Sequence, residues 1–187
     1  MGTRCDESIA KTIDIGRRTF RGDLSVLEYE LRLAPSVFCD WDFSRVDVPL
    51  EVSQTRSYTS TWRDVKYSTC DVTWCQKIRH AWHPLADYSG KFTVSSEEEG
   101  TPKMSDIGSI VLIRYRARKS FVISRDCRVD VTDTWSTTKE DRDSLPDKPT
   151  TEVELEYIGE PHQTSTYIQK VLQDGLASLI EKFGRSK

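Results

Sequence analysis

Three segments of this chain alternate apolar and charged residues with a period of two, and in each the charged face carries one sign only. Leu27-Glu28-Tyr29-Glu30-Leu31 sets two glutamates on one side. Arg114-Tyr115-Arg116-Ala117-Arg118 sets three arginines on one side, and Glu152-Val153-Glu154-Leu155-Glu156 three glutamates. Successive strand residues point to opposite faces, so this spacing predicts β-strands with one apolar and one ionic side. Like charges about 6 Å apart repel by roughly 3 kcal/mol at an effective dielectric near 20. Such a face needs full solvation or a bound ion that neutralises it.

Further strands extend the pattern. Alternation is clean from Leu24 to Leu33 and places Arg32 beside Glu28 and Glu30. Weaker strands are expected over 46–56 and 58–67. Thr73–Trp82 puts Lys77 and Arg79 on one face, Lys91–Ser96 is a short candidate, and Ile110–Ser124 carries the arginines followed by Ser120. Cys127–Thr134 aligns Arg128, Asp130 and Thr132, and Thr151–Ile158 carries the last glutamates. Many strands at short spacing with no helices between them predict an antiparallel and closed sheet, mainly β, of about eight strands. A short helix is expected over 5–16, closed by Gly16. A terminal helix is expected over Thr166–Phe183, with Ile168, Val171, Leu172, Leu176, Leu179 and Ile180 at helical spacing and Gly184 as its stop. Residues 95–106, with Glu97, Glu98 and Glu99, and residues 136–150 read as solvent loops.

Six acids (Glu28, Glu30, Asp130, Glu152, Glu154, Glu156) and seven bases (Arg32, Lys77, Arg79, Arg114, Arg116, Arg118, Arg128) fall on the candidate inner face, segregated by strand. Acidic strands suit a hard divalent cation with oxygen ligands. Basic strands suit phosphate oxygens, which guanidinium groups bind bidentately. A lumen holding both is a site for metal-bound polyphosphate. The backs of the strands (Leu27, Leu31, Val129, Val131, Val153, Leu155) are apolar, so the barrel needs an outer layer. The terminal helix and the Trp-rich segments are candidates to supply it.

With 187 residues, the chain fits a single domain over 1–187. It is 30% charged, yet five Trp and 10% aromatic content argue for a folded core. A net charge of −3 excludes a simple DNA-coating protein. No stretch approaches the roughly 20 apolar residues of a membrane span, and the N-terminus lacks a signal-peptide core, so no membrane association is expected. Five Cys without a CxxC pair favour a reducing compartment. Cys70, Cys75, His80 and His83 have the elements of a zinc site. They lack its usual separation between ligand pairs, and the two cysteines would face opposite sides of a strand.

These motifs, in this order, resemble the triphosphate tunnel metalloenzymes, specifically the metal-dependent RNA 5′-triphosphatases of fungal, protozoan and viral mRNA capping. The carrying residues are Glu28-x-Glu30, Arg114 to Phe121, Arg128-x-Asp130-x-Thr132 and Glu152-x-Glu154-x-Glu156, ahead of a terminal helix. They span residues 27 to 156. The chain departs from the family in having Arg116 where Lys is common. Lys77 and Arg79 match by character only, and a further family acid before Arg114 has no assigned counterpart. The resemblance implies that Glu28, Glu30 and Glu156 hold Mg²⁺ or Mn²⁺. Lys77, Arg79, Arg114, Arg116, Arg118 and Arg128 would face phosphate. Glu154, or else Glu152, would direct the attacking water. Arg32, Asp130 and Thr132 would position their neighbours. It implies hydrolysis of the γ-phosphate of 5′-triphosphate RNA, with nucleoside triphosphates as further substrates, a guanylyltransferase partner and a nuclear location (cytoplasmic for a viral or small-molecule enzyme). Two alternatives remain at this point: a relative acting on inorganic or other small triphosphates, and a non-catalytic polyphosphate-binding module.

Overall fold

The computed structural model describes residues 6–38, 40–43, 51–60, 64–67, 72–85, 90–100, 110–138 and 145–184. Eight strands, β1 (Leu27–Leu33), β2 (Glu51–Ser60), β3 (Asp64–Tyr67), β4 (Val72–Leu85), β5 (Gly90–Gly100), β6 (Ile110–Ser124), β7 (Cys127–Thr137) and β8 (Thr150–Tyr157), form one sheet. It closes in the order β1-β5-β4-β3-β2-β6-β7-β8, with β8 pairing back onto β1. All pairings are antiparallel. Closure removes both sheet edges, which otherwise template aggregation.

Alternation divides the described side chains between lumen and jacket. Tyr29, Leu31, Leu33, Phe92, Val94, Val129, Val153 and Leu155 are almost fully buried on the outer side. Helices α1 (Asp6–Thr19) and α3 (Ser165–Phe183) cover them, joined by the four-residue α2 (Pro35–Phe38). Ile9 and Ile13 of α1, with Ile168, Leu172, Leu176 and Leu179 of α3, complete the core. Arg17 ties the layers together. Its Nε donates to the Tyr29 hydroxyl at 2.8 Å, and its terminal nitrogens donate to the Pro161 and Gln163 carbonyls. Thr164 caps α3 by accepting from the Tyr167 N–H, and Gly184 ends it. No described helix is long and apolar enough to cross a membrane.

Among the described residues the outer layer is helical more than tryptophan-built. Trp41 stacks on Phe183 at 6.4 Å, but Trp82 is exposed. Several boundaries differ from the expectations. Leu24–Val26 is a 3-10 turn, so β1 starts at Leu27. α1 continues past Gly16 to Thr19. Gly16 serves close packing instead of a stop, since a Cβ there would lie 2.6 Å from a Val94 methyl. The weaker strands fall at 51–60 and 64–67, and positions 46–50 and 61–63 lie outside the described residues. Most consequential, β5 runs through the acidic triplet to Gly100, where a loop was expected; its partner β4 pairs with it as far as Trp74↔Gly100. Likewise β7 reaches Thr137. Residues 101–109 and 139–144 of the two expected loops lie outside the described residues.

Candidate functional site

Directly opposed residues of antiparallel strands share a face. The register therefore fixes which side chains meet in the lumen. Glu30 lies opposite Glu156, and Arg32 opposite Glu154. Arg128, Asp130 and Thr132 lie opposite Glu156, Glu154 and Glu152. Arg118 and Arg116 lie opposite Thr132 and Thr134. These strands enclose a cavity of 250 Å³ whose walls are ionic throughout. Glu28, Glu30, Glu152, Glu154, Glu156 and Asp130 line it, together with Arg32, Lys77, Arg116, Arg118 and Arg128.

Each end opens into a further cavity. At one end, 450 Å³ is bounded by Glu28, Glu97 and Glu156 with Ser25, Val26 and Tyr157. At the other, 290 Å³ is bounded by Arg32, Arg114, Arg116 and Glu152 with Thr134, Ser136 and Thr150. The lumen is thus a tunnel with an acidic and a basic mouth.

Inside it, the charges neutralise one another. The Lys77 ammonium lies between the two β1 carboxylates, 2.8 Å from Glu28 Oε2 and 2.5 Å from Glu30 Oε2. Arg32 contacts Glu30, Glu152 (3.0 Å) and Glu154. Arg128 bridges Glu156 and Asp130, at 3.2 Å from Asp130 Oδ1. Asp130, whose side chain is 4% exposed, also accepts from Arg118 Nη1 at 3.3 Å, while Thr132 Oγ1 accepts from Arg118 Nε at 3.1 Å. Asp130 and Thr132 together hold the Arg118 guanidinium in one orientation.

Burial and the neighbouring Glu30 carboxylate raise the proton affinity of Glu154. The cations Lys77 and Arg32, with a hydrogen bond from Glu154, outweigh burial and lower that of Glu30. The two behave as a pair sharing one proton. Burial also raises Glu156, against the opposing pull of Arg128. Lys77 gains proton affinity from Glu30 and Glu28 in excess of its own desolvation.

The structure thus brings together eleven of the residues singled out from sequence, and Arg114 joins at the basic mouth. Arg79 stays on the inner face, opposite Ser95, but is exposed and outside the cavity walls. Glu97 was missed. It lines the tunnel from β5, opposite Lys77. The signal was its place three residues after Val94 in an extended run, which its acidic neighbours obscured. The zinc grouping does not assemble among the described residues: His80 Nε2 sits 2.8 Å from Ser96 Oγ and its ring packs on Phe20, on the jacket side, while Cys70 lies outside the described residues. Burial pushes the Cys127 thiol up to about 12, so it is no nucleophile at neutral pH.

Among the described residues, no three His, Cys, Asp or Glu groups already converge as a ligand cluster, the acids being engaged with Lys77, Arg32 and Arg128. The donor set nevertheless fits a hard cation. Glu28, Glu30 and Glu156 offer carboxylate oxygens from paired strands, and the Lys77 ammonium already stands as a cation between two of them. Glu28 Oε2 is buried and lacks hydrogen-bond geometry to any group among the described residues, that ammonium included.

No protein-family profile matches this sequence. No curated protein matches it either. Solved structures do match in fold. The RNA triphosphatase domain of the trifunctional mimivirus mRNA capping enzyme superposes with a TM-score of 0.63 at 15% identity, covering 92% of this chain and 96% of that one. The Schizosaccharomyces pombe (S. pombe) Pct1 RNA triphosphatase gives 0.62 at 12% identity, covering 100% and 95%. The closed tunnel described above is the fold of those enzymes.

Proposed function

We propose that this protein is a divalent-metal-dependent polynucleotide 5′-triphosphatase, which removes the γ-phosphate of triphosphate-ended RNA and leaves a diphosphate end. The carrying observation is the tunnel itself, where two carboxylate-bearing strands face an arginine-bearing strand across a 250 Å³ ionic cavity. The shared fold with capping triphosphatases supports it.

In this reading Glu28, Glu30 and Glu156 hold Mg²⁺ or Mn²⁺, which when bound supplies charge neutralisation at the phosphate being transferred. Arg116 and Arg118, with Arg114 at the mouth, neutralise phosphate oxygens and the charge that develops on them. Lys77, which lies between Glu28 and Glu30, would be released to face phosphate if a cation took its place there. Arg128 spans Asp130 and Glu156, and so couples the phosphate-facing strand to the metal-holding one. Glu154, whose raised proton affinity suits a base working near neutrality, orients and deprotonates the attacking water. Glu152, tied to Arg32 and more exposed, is the less suitable base. Glu97 opposite Lys77 joins the acidic end. No covalent intermediate is required.

By the same reading, residues 1–187 act as one catalytic domain, nucleoside triphosphates are accepted as smaller substrates, and the protein works in the nucleus beside a guanylyltransferase. Product analysis tests the reaction: triphosphate-ended RNA incubated with Mg²⁺ or Mn²⁺ should yield inorganic phosphate and diphosphate-ended RNA, and none with EDTA. Release of pyrophosphate, or turnover of inorganic triphosphate alone, would replace it with a different triphosphatase. No release with any metal would leave a polyphosphate-binding module.

A further inference from the structure

The basic mouth carries one feature that the phosphate chemistry does not use. Simple alternation from Lys77 and Arg79 would place Ala81 in the lumen and Trp82 in the jacket. The structure reverses this. The β4–β5 register shifts between Arg79 and Ala81, with Arg79 opposite Ser95 and Trp82 opposite Thr93. Thr93 in turn lies opposite Glu30, which lines the tunnel, so Trp82 faces the lumen side. A bulge of this kind inserts one residue, here at His80, and re-aims those that follow. His80 itself turns outward to Ser96 and Phe20.

So placed, the Trp82 ring is 57% exposed and packs on no other aromatic ring among the described residues. Its diagonal neighbour across the β4–β5 pair is Lys91, which lies opposite Arg32 at the basic end of β1. Diagonal pairs are within reach of aromatic and long side chains. Desolvation, with the charges of Arg32 and Arg79, lowers the pKa of Lys91. Neither Arg79 nor Lys91 forms an ion pair or hydrogen bond with a described residue. A large π-face beside an exposed Arg79 and a partly buried Lys91 is the make-up of a single-stranded nucleic-acid contact, where bases stack on aromatics and cations follow the backbone.

We propose that the basic mouth receives the nucleoside end of the substrate, with the first base stacked on Trp82 and the phosphate nearest the sugar met by Arg79 and Lys91. This rests on the triphosphatase reading and adds its polarity: the terminal phosphate lies toward Glu28 and Glu156, and the chain of the nucleic acid leaves past β4.

Binding tests it independently of turnover. A non-hydrolysable β,γ-imido triphosphate is titrated calorimetrically as the 5′ end of RNA, as the adenosine nucleotide and as bare imidotriphosphate. Wild type is compared with Trp82→Ala and Trp82→Phe. The expected result is an affinity loss of about 5- to 100-fold for Trp82→Ala on the RNA or on both nucleoside forms, beyond any loss on the bare anion, with Trp82→Phe recovering most of it. Loss on RNA alone assigns the platform to a polynucleotide, and loss on both to any nucleoside triphosphate. Equal loss on all three ligands, or none on any, overturns the proposal. Failure of the triphosphatase reading would show instead as absent phosphate release in the product assay, with this binding difference intact.

Discussion

At the scale of single residues, Asp130 is the pivot between the two chemistries of the tunnel. Its buried carboxylate accepts from Arg118 and pairs with Arg128, which reaches on to Glu156. Asp130→Asn keeps the shape and removes the charge, so Arg118 loses its fixed orientation. Misplacing a phosphate-facing group by an ångström costs on the order of 100-fold. Steady-state kinetics should show kcat down by about 10- to 100-fold with folding retained by circular dichroism; an unchanged kcat would remove Asp130 from the account. Glu154 makes a second, pH-dependent prediction. Its folded-state pKa is raised, so above the ordinary carboxylate range the unfolded chain has lost a proton that the folded chain still holds. Metal-free protein should therefore lose stability as pH rises from about 5 to 8. Glu30, shifted the other way, withdraws its contribution only as pH falls below that range. In EDTA, Glu154→Gln should melt higher than wild type at pH 8 and nearly together with it at pH 5. Parallel melting curves at both values would contradict the assigned burial effect. Most of this site was legible residue by residue, because single-sign charge at every second position stays on one face of any strand without a bulge.

At the scale of elements, legibility depended on whether a strand carried its own pattern. β1, β6 and β8 did, through Glu28-x-Glu30, the arginines 114 to 118 and the glutamates 152 to 156. β5 did not: its outer half, Ser95 to Gly100, is strand because β4 pairs with it, and three consecutive glutamates carry no period. That hid Glu97. The bulge at His80 hid the facing of Trp82 in the same way, since an inserted residue leaves composition untouched and inverts every side chain beyond it. The terminal helix was legible as part of the jacket, but the strands it docks on were not. Gly175 of α3 packs directly on β7 and β8, a Cβ there falling 2.7 Å from Cys127 Sγ and 3.4 Å from a Leu155 methyl. Both neighbours are fully buried. Gly175→Val should overpack this contact at about 1–3 kcal/mol. A melting temperature lower by several degrees is the expected result, at roughly 2–4 °C per kcal/mol for a chain of this size. An unshifted transition would mean that α3 sits farther from the barrel.

At the scale of the whole molecule, the closed sheet turns a set of weak strand motifs into one field. Closure puts β8 beside β1, so that Glu156 meets Glu30 across 126 residues of sequence. The acidic strands then crowd like charges that only a cation relieves, whether Lys77 from within or a metal from solution. Because a cation held by folded carboxylates has no equal site in the unfolded chain, Mn²⁺ at about 100 times its dissociation constant should add about 2.7 kcal/mol of stability. Thermal melting with and without Mn²⁺ reads this directly, and Mg²⁺ should act in the same direction. No shift with either metal would leave the tunnel's own Lys77, Arg32 and Arg128 as the cations that its carboxylates take.

The most direct test of the central claim is γ-phosphate release from triphosphate-ended RNA against Mn²⁺ concentration, for wild type, Glu30→Ala and Glu156→Ala. Wild type should release phosphate only with metal and both variants should lose that release, since the two carboxylates come from different strands and meet only in the closed tunnel. Release by either variant at the wild-type rate, or release by wild type in EDTA, would contradict a two-strand carboxylate metal site.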